Sequence, residues 1–426
     1  MHLESDTQPA ALSPCDDSAF VAVIGAGPAG LMAADTLAAA GCRVTVFDRM
    51  PSPARKFLLA GRGGLNLTHS EPRAAFLARY GAAADWLAPM LDIFPPSRLR
   101  AFAAQLGEPT FVGSSGRVFP RSFKSSPLLR AWLGRLGAGG VRLAPRHLWQ
   151  GWDGAGRLRF ATPEGEALVA ADAAVLAFGG ASWPRLGSDG GWAAVLREAG
   201  IAVSALQPAN AGLNIAWSEP FRMRFAGEPL KRVALSHGGQ AVRGEAMVTG
   251  AGLEGGAVYA LFAELRAALA EHDTARLKID LRPDLAEPAI AARLTTARKG
   301  ETASNRLRKA AGLSPPAIGL LREAGPLPLA PDALARRIKQ LELTVTGTAP
   351  IERAISTAGG LSRVALDADL MLHARPGSFA AGEMLDWEAP TGGYLLQACF
   401  ATGHAAACGV LRQLGLPEPE PWHGGW

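Results

Sequence analysis

The first unbroken apolar run in the chain is 20–24, Phe-Val-Ala-Val-Ile, preceded by a polar leader that includes Asp16 and Asp17. Five apolar residues are too few for a helix and too uniform for a strand with one wet face, so the run reads as a strand buried on both faces. Gly25, Gly27 and Gly30 follow at once, and residues 31–40 read as a helix. A second strand is expected at 43–47, ending in Asp48. Residues 73–105 have helical texture with breaks at Pro89 and Pro95-Pro96. A hairpin is expected at 111–120, a helix at 128–136, and short strands at 141–149, 158–162 and 168–170. Another buried strand, 173–177, runs into Gly179-Gly180-Ala-Ser182-Trp183-Pro184.

The texture changes near residue 193. Strand-like pieces at 211–215, 233–236, 240–242 and 245–248 are separated by turns, and an Ala/Leu/Arg-rich stretch at 257–341 reads as helical with Pro and Gly interruptions. A strand at 343–345 follows. The opening style then resumes: a short strand at 378–381, Gly382-Glu383, then Gly392-Gly393-Tyr394 and a helix at 395–411. The expected organisation is a leader at 1–18, one domain made of 19–192 and 355–415, an inserted β-rich domain of 193–256 and 342–354, and a helical, basic subdomain of 257–341.

The glycines in 25–30 sit between a strand and a helix, which turns a weak motif into a strong one. Gly25 permits a tight turn, Gly27 lets the backbone approach a pyrophosphate, and Gly30 lets helix and strand pack closely. The helix start offers free N–H groups and the positive end of its dipole to phosphates. Asp48, eighteen positions beyond Gly30, stands where an acid bonds a ribose hydroxyl. The fold class is therefore α/β, a doubly wound Rossmann-like sheet that binds a dinucleotide. NAD and FAD share this opening. The returning strand with Gly382-Glu383 and a helix beginning at Gly393 selects FAD, because such a helix start faces the flavin edge where negative charge builds on reduction.

Composition narrows the chemistry. Cys15, Cys42, Cys399 and Cys408 show no paired spacing, and no His/Cys metal spacing occurs, which points to a reducing compartment, a cytoplasmic protein and no metal. The glycine-rich opening and the acids before it argue against a signal peptide or a membrane span. Charge is concentrated: 291–340 holds ten Lys and Arg against three acids, within a chain of net charge +5. A polyanion such as RNA is one reading of that segment, and a solvated helical surface is the other.

Several longer motifs resemble one bacterial family. They are Arg55-Lys56-Phe-Leu-Leu-Ala-Gly-Arg-Gly63-Gly64-Leu65-Asn66-Leu-Thr, Gly180-Ala-Ser-Trp183-Pro184, Thr357-Ala-Gly359-Gly360, and Ala381-Gly382-Glu383 through Asp386 to Gly392-Gly393-Tyr394. The family is that of NAD(P)/FAD-dependent oxidoreductases of the aminoacetone oxidase and bile-acid-reductase type, and the likeness spans about 20–410. It implies a discontinuous FAD domain with an inserted β-rich domain and a helical part within it. It also implies that Gly25, Gly27 and Gly30, with Pro28 and Ala29, hold the pyrophosphate, and that Asp48, beside Arg49, holds the adenosine ribose. Arg55, Lys56 and the loop Gly63, Gly64, Leu65 and Asn66 would line pyrophosphate and flavin. Gly382 and Glu383 would hold the ribityl–phosphate part, and Gly392, Gly393, Tyr394 and Leu395 the flavin ring. Phe178-Gly179 stands where Thr-Gly is common, and Glu383 where Asp is common. His69 and His404 read as structural, Cys399 as core, and no residue is assigned as catalytic. The expected reaction is hydride transfer between flavin and a small molecule of enone or amine type, with NAD(P)H as a transient visitor. Reduction of a uridine in ribosomal RNA, and a non-catalytic flavin-binding role, are the alternatives.

Overall fold

The computed structural model describes residues 18–296 and 301–426. Residues 1–17, nearly all of the expected leader, lie outside the described residues. Strand Phe20–Ile24 lies at the centre of a five-stranded sheet in the order Ser378–Ala380, Ala173–Leu176, Phe20–Ile24, Arg43–Asp48, Arg142–Pro145. Every pairing is parallel, with Val23 opposite both Val175 and Val46. Residues 21–24 are buried, which is why the run carries no polar alternation.

Helix Pro28–Ala39 opens with proline in its first turn, where a missing N–H costs nothing. It packs against the long closing helix Tyr394–Gln413. The two meet backbone to backbone: a Cβ added at Gly403 would lie 2.3 Å from the Ala29 carbonyl oxygen. The closing helix is the one helix among the described residues long and apolar enough to cross a bilayer, and it is largely buried here.

Two local expectations need correction. Residues 141–149 form two strands, Arg142–Pro145 and Leu148–Trp152. Arg146 between them has φ +61°, so the chain turns out of the parallel sheet into an antiparallel meander with Leu158–Thr162 and Gly165–Val169. Pro89 does not break its segment but sits inside helix Ala84–Ile93.

The chain leaves this domain through Gln207–Ala209 and returns through Ser356–Ala358, which pair antiparallel. Between them lies a seven-stranded antiparallel sheet, ordered Leu341–Val345, Ala275–Asp280, Pro229–His237, Gln240–Val248, Gly252–Glu254, Leu213–Asn214, Gly347–Thr348. Strand Ala275–Asp280 corrects the helical reading of 257–341. Its burial alternates, with Ala275, Leu277 and Ile279 inside, and a period of two cannot sit as a helix. Leu277, Ile279, Ile290, Leu320 and Ile338 join strands and helices in a second core, separate from the one around the parallel sheet. Each contributes roughly 1.5–3 kcal/mol by burial.

Candidate cofactor site

The C-terminal ends of the parallel strands surround a cavity of about 630 Å³, within the range of roughly 300–1,000 Å³ usual for ligand sites. The glycine turn forms its floor. Gly25 has φ +110°, and a Cβ there would lie 2.2 Å from the Ala177 carbonyl oxygen. A Cβ at Gly30 would lie 1.9 Å from the Gly25 carbonyl oxygen. Gly27 differs: nothing lies within 4 Å of its Cβ position. The first and third glycines are thus required by packing, and the second leaves room in front of the helix start.

Asp48 fixes the turn. Its Oδ2 accepts the Ala26 N–H at 2.7 Å and its Oδ1 the Met50 N–H at 2.7 Å. Burial raises the carboxyl's pKa, while these two bonds and the nearby Arg49 and Arg55 pull the other way. Each oxygen keeps acceptor capacity for a ribose hydroxyl. Arg49 pairs with Asp189 at the rim. Arg55 is half-buried and reaches Ser52 at 3.4 Å.

Motifs distant in sequence are tied together by Lys56. Its Nζ donates to Ser182 Oγ at 2.6 Å and to Glu383 Oε2 at 2.8 Å. Glu383 Oε1 accepts the Thr357 N–H at 3.1 Å, and Thr357 Oγ1 accepts the Ala181 N–H at 2.8 Å. Gly382, at φ +82°, lets this strand end approach the opening helix, since a Cβ there would lie 2.7 Å from Ala29 Cβ. Cys399 is partly buried: it packs against the domain core, as read, and also lines the cavity. Burial, then the Glu383 charge, push its thiol up to about 12, so it stays protonated at neutral pH.

The structure therefore brings Gly25, Gly27, Pro28, Ala29, Asp48, Arg49, Arg55, Lys56, Gly382 and Glu383 onto one cavity wall. Gly30, Gly63, Gly64, Leu65, Asn66, Gly392, Gly393, Tyr394 and Leu395 are not on that wall. The last eight belong to a second grouping where the 63–69 loop meets the start of the closing helix. Gly393 lies so close to the Thr68 backbone that a Cβ would come within 2.6 Å, and Thr68 Oγ1 donates to Gln397 Oε1 at 2.8 Å. Asn66 Oδ1 is buried there without a partner. Tyr394 keeps its ring against the turn, where a Cβ at Gly392 would lie 2.5 Å from it, while its hydroxyl donates to Glu71 Oε2 at 2.9 Å and its ring stacks on His69. Burial, then the Glu71 carboxylate, hold that phenol well above its ordinary pKa.

Other cavity residues were missed by the sequence reading. His147, Trp149, Gln150, Ser188 and Trp192 complete the lining beyond Asp48. Trp149 faces Phe178 with ring centroids 4.8 Å apart, and Trp192 Nε1 donates to the Gly179 carbonyl at 3.0 Å. The topology could have found them, because an open parallel sheet binds ligands beyond the ends of its strands, here after 48, 145, 176 and 380. His69 and His404 line no part of the cavity. His69 Nε2 contacts the Ser115 carbonyl at 3.0 Å, and His404 Nδ1 the Thr36 hydroxyl at 2.9 Å.

Three buried polar atoms on the lining have no partner: Trp149 Nε1, Arg159 Nε and Ser188 Oγ. Buried donors are seldom left unpaired, so the lining is built for a polar ligand. A pyrophosphate on the open helix start, a ribose at Asp48 and a polar heteroaromatic beyond it match this donor set, and FAD fits.

The basic segment is partly engaged within its own fold. Lys339 pairs with Asp280 at 2.6 Å and donates to the carbonyls of Arg282 and Leu285. Arg337 holds the Ala324 carbonyl at 3.1 Å, and Lys309 pairs with Glu301 at 2.9 Å. Arg298 and Lys299 lie outside the described residues.

Residues 19–409 match the family model for the HI0933-like protein Rossmann domain. The chain is 25% identical over 404 residues to a 3-dehydro-bile acid delta(4,6)-reductase of Clostridium scindens, covering 91% of this chain and 97% of that protein. Among solved structures it is similar to the 3-ketosteroid delta1-dehydrogenase of Sterolibacterium denitrificans, with a TM-score of 0.52 at 13% identity, covering 93% of this chain and 100% of that one. This second likeness shows the fold alone. With the family match over nearly the whole chain and a cavity that fits FAD, the protein belongs to the HI0933-like Rossmann-domain family and is an FAD-dependent oxidoreductase.

Proposed function

We propose that the enzyme reduces the conjugated carbon–carbon double bond of a small enone at the expense of NAD(P)H. The observation that carries this reading is the similarity to the bile-acid reductase, which runs through both the FAD domain and the insertion. The flavin, when bound, supplies two-electron hydride chemistry between the donor and the enone. The chain supplies the rest. Gly27, Pro28 and Ala29 present the helix start to the pyrophosphate, and Asp48 sets the ribose. Lys56 and Glu383 lie where the ribityl–phosphate part would run. The 63–66 loop and residues 392–395 bracket the ring.

A second cavity of about 520 Å³ supports a ring-shaped apolar acceptor. Trp86, Tyr259, Phe262 and Trp387 give it aromatic walls drawn from the FAD domain and the insertion. Its remaining side includes residues 386–390, the loop that joins the Gly382 and Gly392 motifs. Arg266 braces that loop, donating to both Glu388 oxygens and to the Pro208 carbonyl at 2.9 Å. On this reading the insertion between the paired strands Gln207–Ala209 and Ser356–Ala358 is the cap that selects the substrate. The test is incubation of the holoenzyme with NADH or NADPH and a panel of ring enones, read by mass spectrometry. A product that has gained two hydrogens supports the proposal. Enones returned unchanged, with reduced uridine appearing in added ribosomal RNA, would overturn it.

A further inference from the structure

Beside the flavin-side loop stands a surface that the cofactor does not explain. Strands Thr110–Val112 and Arg117–Pro120 pair Phe111 with Phe119, and Phe123 closes a triangle of rings with centroids 5.1–5.9 Å apart. Phe123 is unusual twice over. Its backbone is left-handed at φ +60°, an uncommon conformation for a bulky residue, and the residue is 48% exposed. Neither hydrophobic burial nor backbone preference accounts for it. Its carbonyl accepts the Leu65 N–H at 2.8 Å, and its ring lies against Gly64, where a Cβ would come within 3.0 Å. The aromatic face is thus joined to the loop that brackets the flavin.

The charge around it is mostly positive. Arg121 and Lys124 flank Phe123 in sequence, and Arg62 stands two positions before Gly64, which the Phe123 ring contacts; all three are exposed, and none forms an ion pair or a side-chain hydrogen bond among the described residues. Arg117, on the same hairpin, has no ion pair among the described residues either. The acid on this side, Glu108, accepts the Ser122 hydroxyl at 2.7 Å. Exposed rings stack flat heteroaromatics, and unpaired Arg and Lys attract phosphates. We propose that the Phe111–Phe119–Phe123 face, with Arg62, Arg121 and Lys124, is the docking surface for the nicotinamide dinucleotide that reduces the enzyme. This rests on the NAD(P)H-driven reading above and adds where the donor binds. It also accounts for a single glycine motif between strand and helix: the donor uses an open surface and leaves after transfer.

The test is direct binding to FAD-loaded enzyme of a non-reducing tetrahydronicotinamide dinucleotide, followed by the flavin's visible spectrum. Wild type should show saturable binding that weakens steeply with salt. The double variant R121E/K124E should raise Kd about tenfold or more, with flavin content unchanged. Phe123→Leu, which keeps an apolar contact on Gly64, should weaken binding severalfold. A yellow wild type that dithionite reduces but that binds no analogue overturns the docking surface and leaves the FAD assignment standing. Equal Kd in wild type and R121E/K124E overturns it too. So does RNA binding lost in that variant while dinucleotide binding is kept. A protein that takes up no FAD would defeat the underlying reading itself.

Discussion

Replacing Lys56 by Met tests the knot that joins four motifs. At 2.8 Å, and with an effective dielectric of about 20, the attraction between Lys56 and Glu383 is about 6 kcal/mol, much of it offset by desolvating both groups. The side chains are 27% and 12% exposed, between a rim pair and a buried one. After Lys56→Met, Glu383 keeps only the Thr357 N–H at 3.1 Å, and its charge is left without a counter-ion. We expect a loss of about 2–3 kcal/mol, short of the roughly 3–5 kcal/mol typical when a fully buried pair is broken. The assay is thermal unfolding of flavin-free protein, so that weaker cofactor binding does not enter. The midpoint should fall by roughly 4–12 °C for a unit of domain size. Lys56→Met/Glu383→Gln removes both charges and should recover all but about 1 kcal/mol of the loss. A midpoint within one or two degrees of wild type for the single variant would refute the reasoning. So would a double variant no better than the single one.

Three further outcomes rest on the same packing and electrostatics. Gly27→Ala should fold with a wild-type midpoint yet lose most bound flavin, because nothing lies within 4 Å of the new Cβ except the space the pyrophosphate needs, whereas Gly30→Ala should fail in both, its Cβ landing 1.9 Å from the Gly25 carbonyl oxygen; flavin absorbance and circular dichroism separate the two. Gly403→Ala should cost about 3 kcal/mol by forcing the opening and closing helices apart, read as a lower unfolding midpoint. His404 is held down to about 3, first by burial and then by Arg98, so the folded protein keeps it neutral where the unfolded chain protonates it. Stability should therefore fall as pH drops below about 6.5, by about 2 kcal/mol at pH 5 from this group, and His404→Gln should remove that share of the slope in pH-dependent unfolding.

The opening of the fold was legible because its determinants are local. A strand, three glycines, a helix and Asp48 specify one another within thirty residues, and the structure places them as their spacing implies. Strand Ala275–Asp280 was not legible. Its six residues alternate in burial, but they lie among helix formers, and pairing with Pro229–His237 and Leu341–Val345 decides their state. The site divides in the same way. Glu383 was recognisable from its motif, but its partner Lys56 lies 327 positions away. Trp149, Ser188 and Trp192 carry no motif at all, and only the meeting of strand ends gathers them. Tyr394 was read beside the flavin turn, and its ring does lie against Gly392, but the bond from its hydroxyl to Glu71, 323 positions away, carries no signal in the sequence.

The most direct measurement is an anaerobic two-step experiment on the purified protein, following the visible flavin band. The account predicts a yellow protein whose extracted flavin is FAD, bleached rapidly by NADH or NADPH and returned to yellow by a ring enone but not by the saturated ketone. Protein that carries no FAD, or that bleaches and is not reoxidised by any enone, would contradict it.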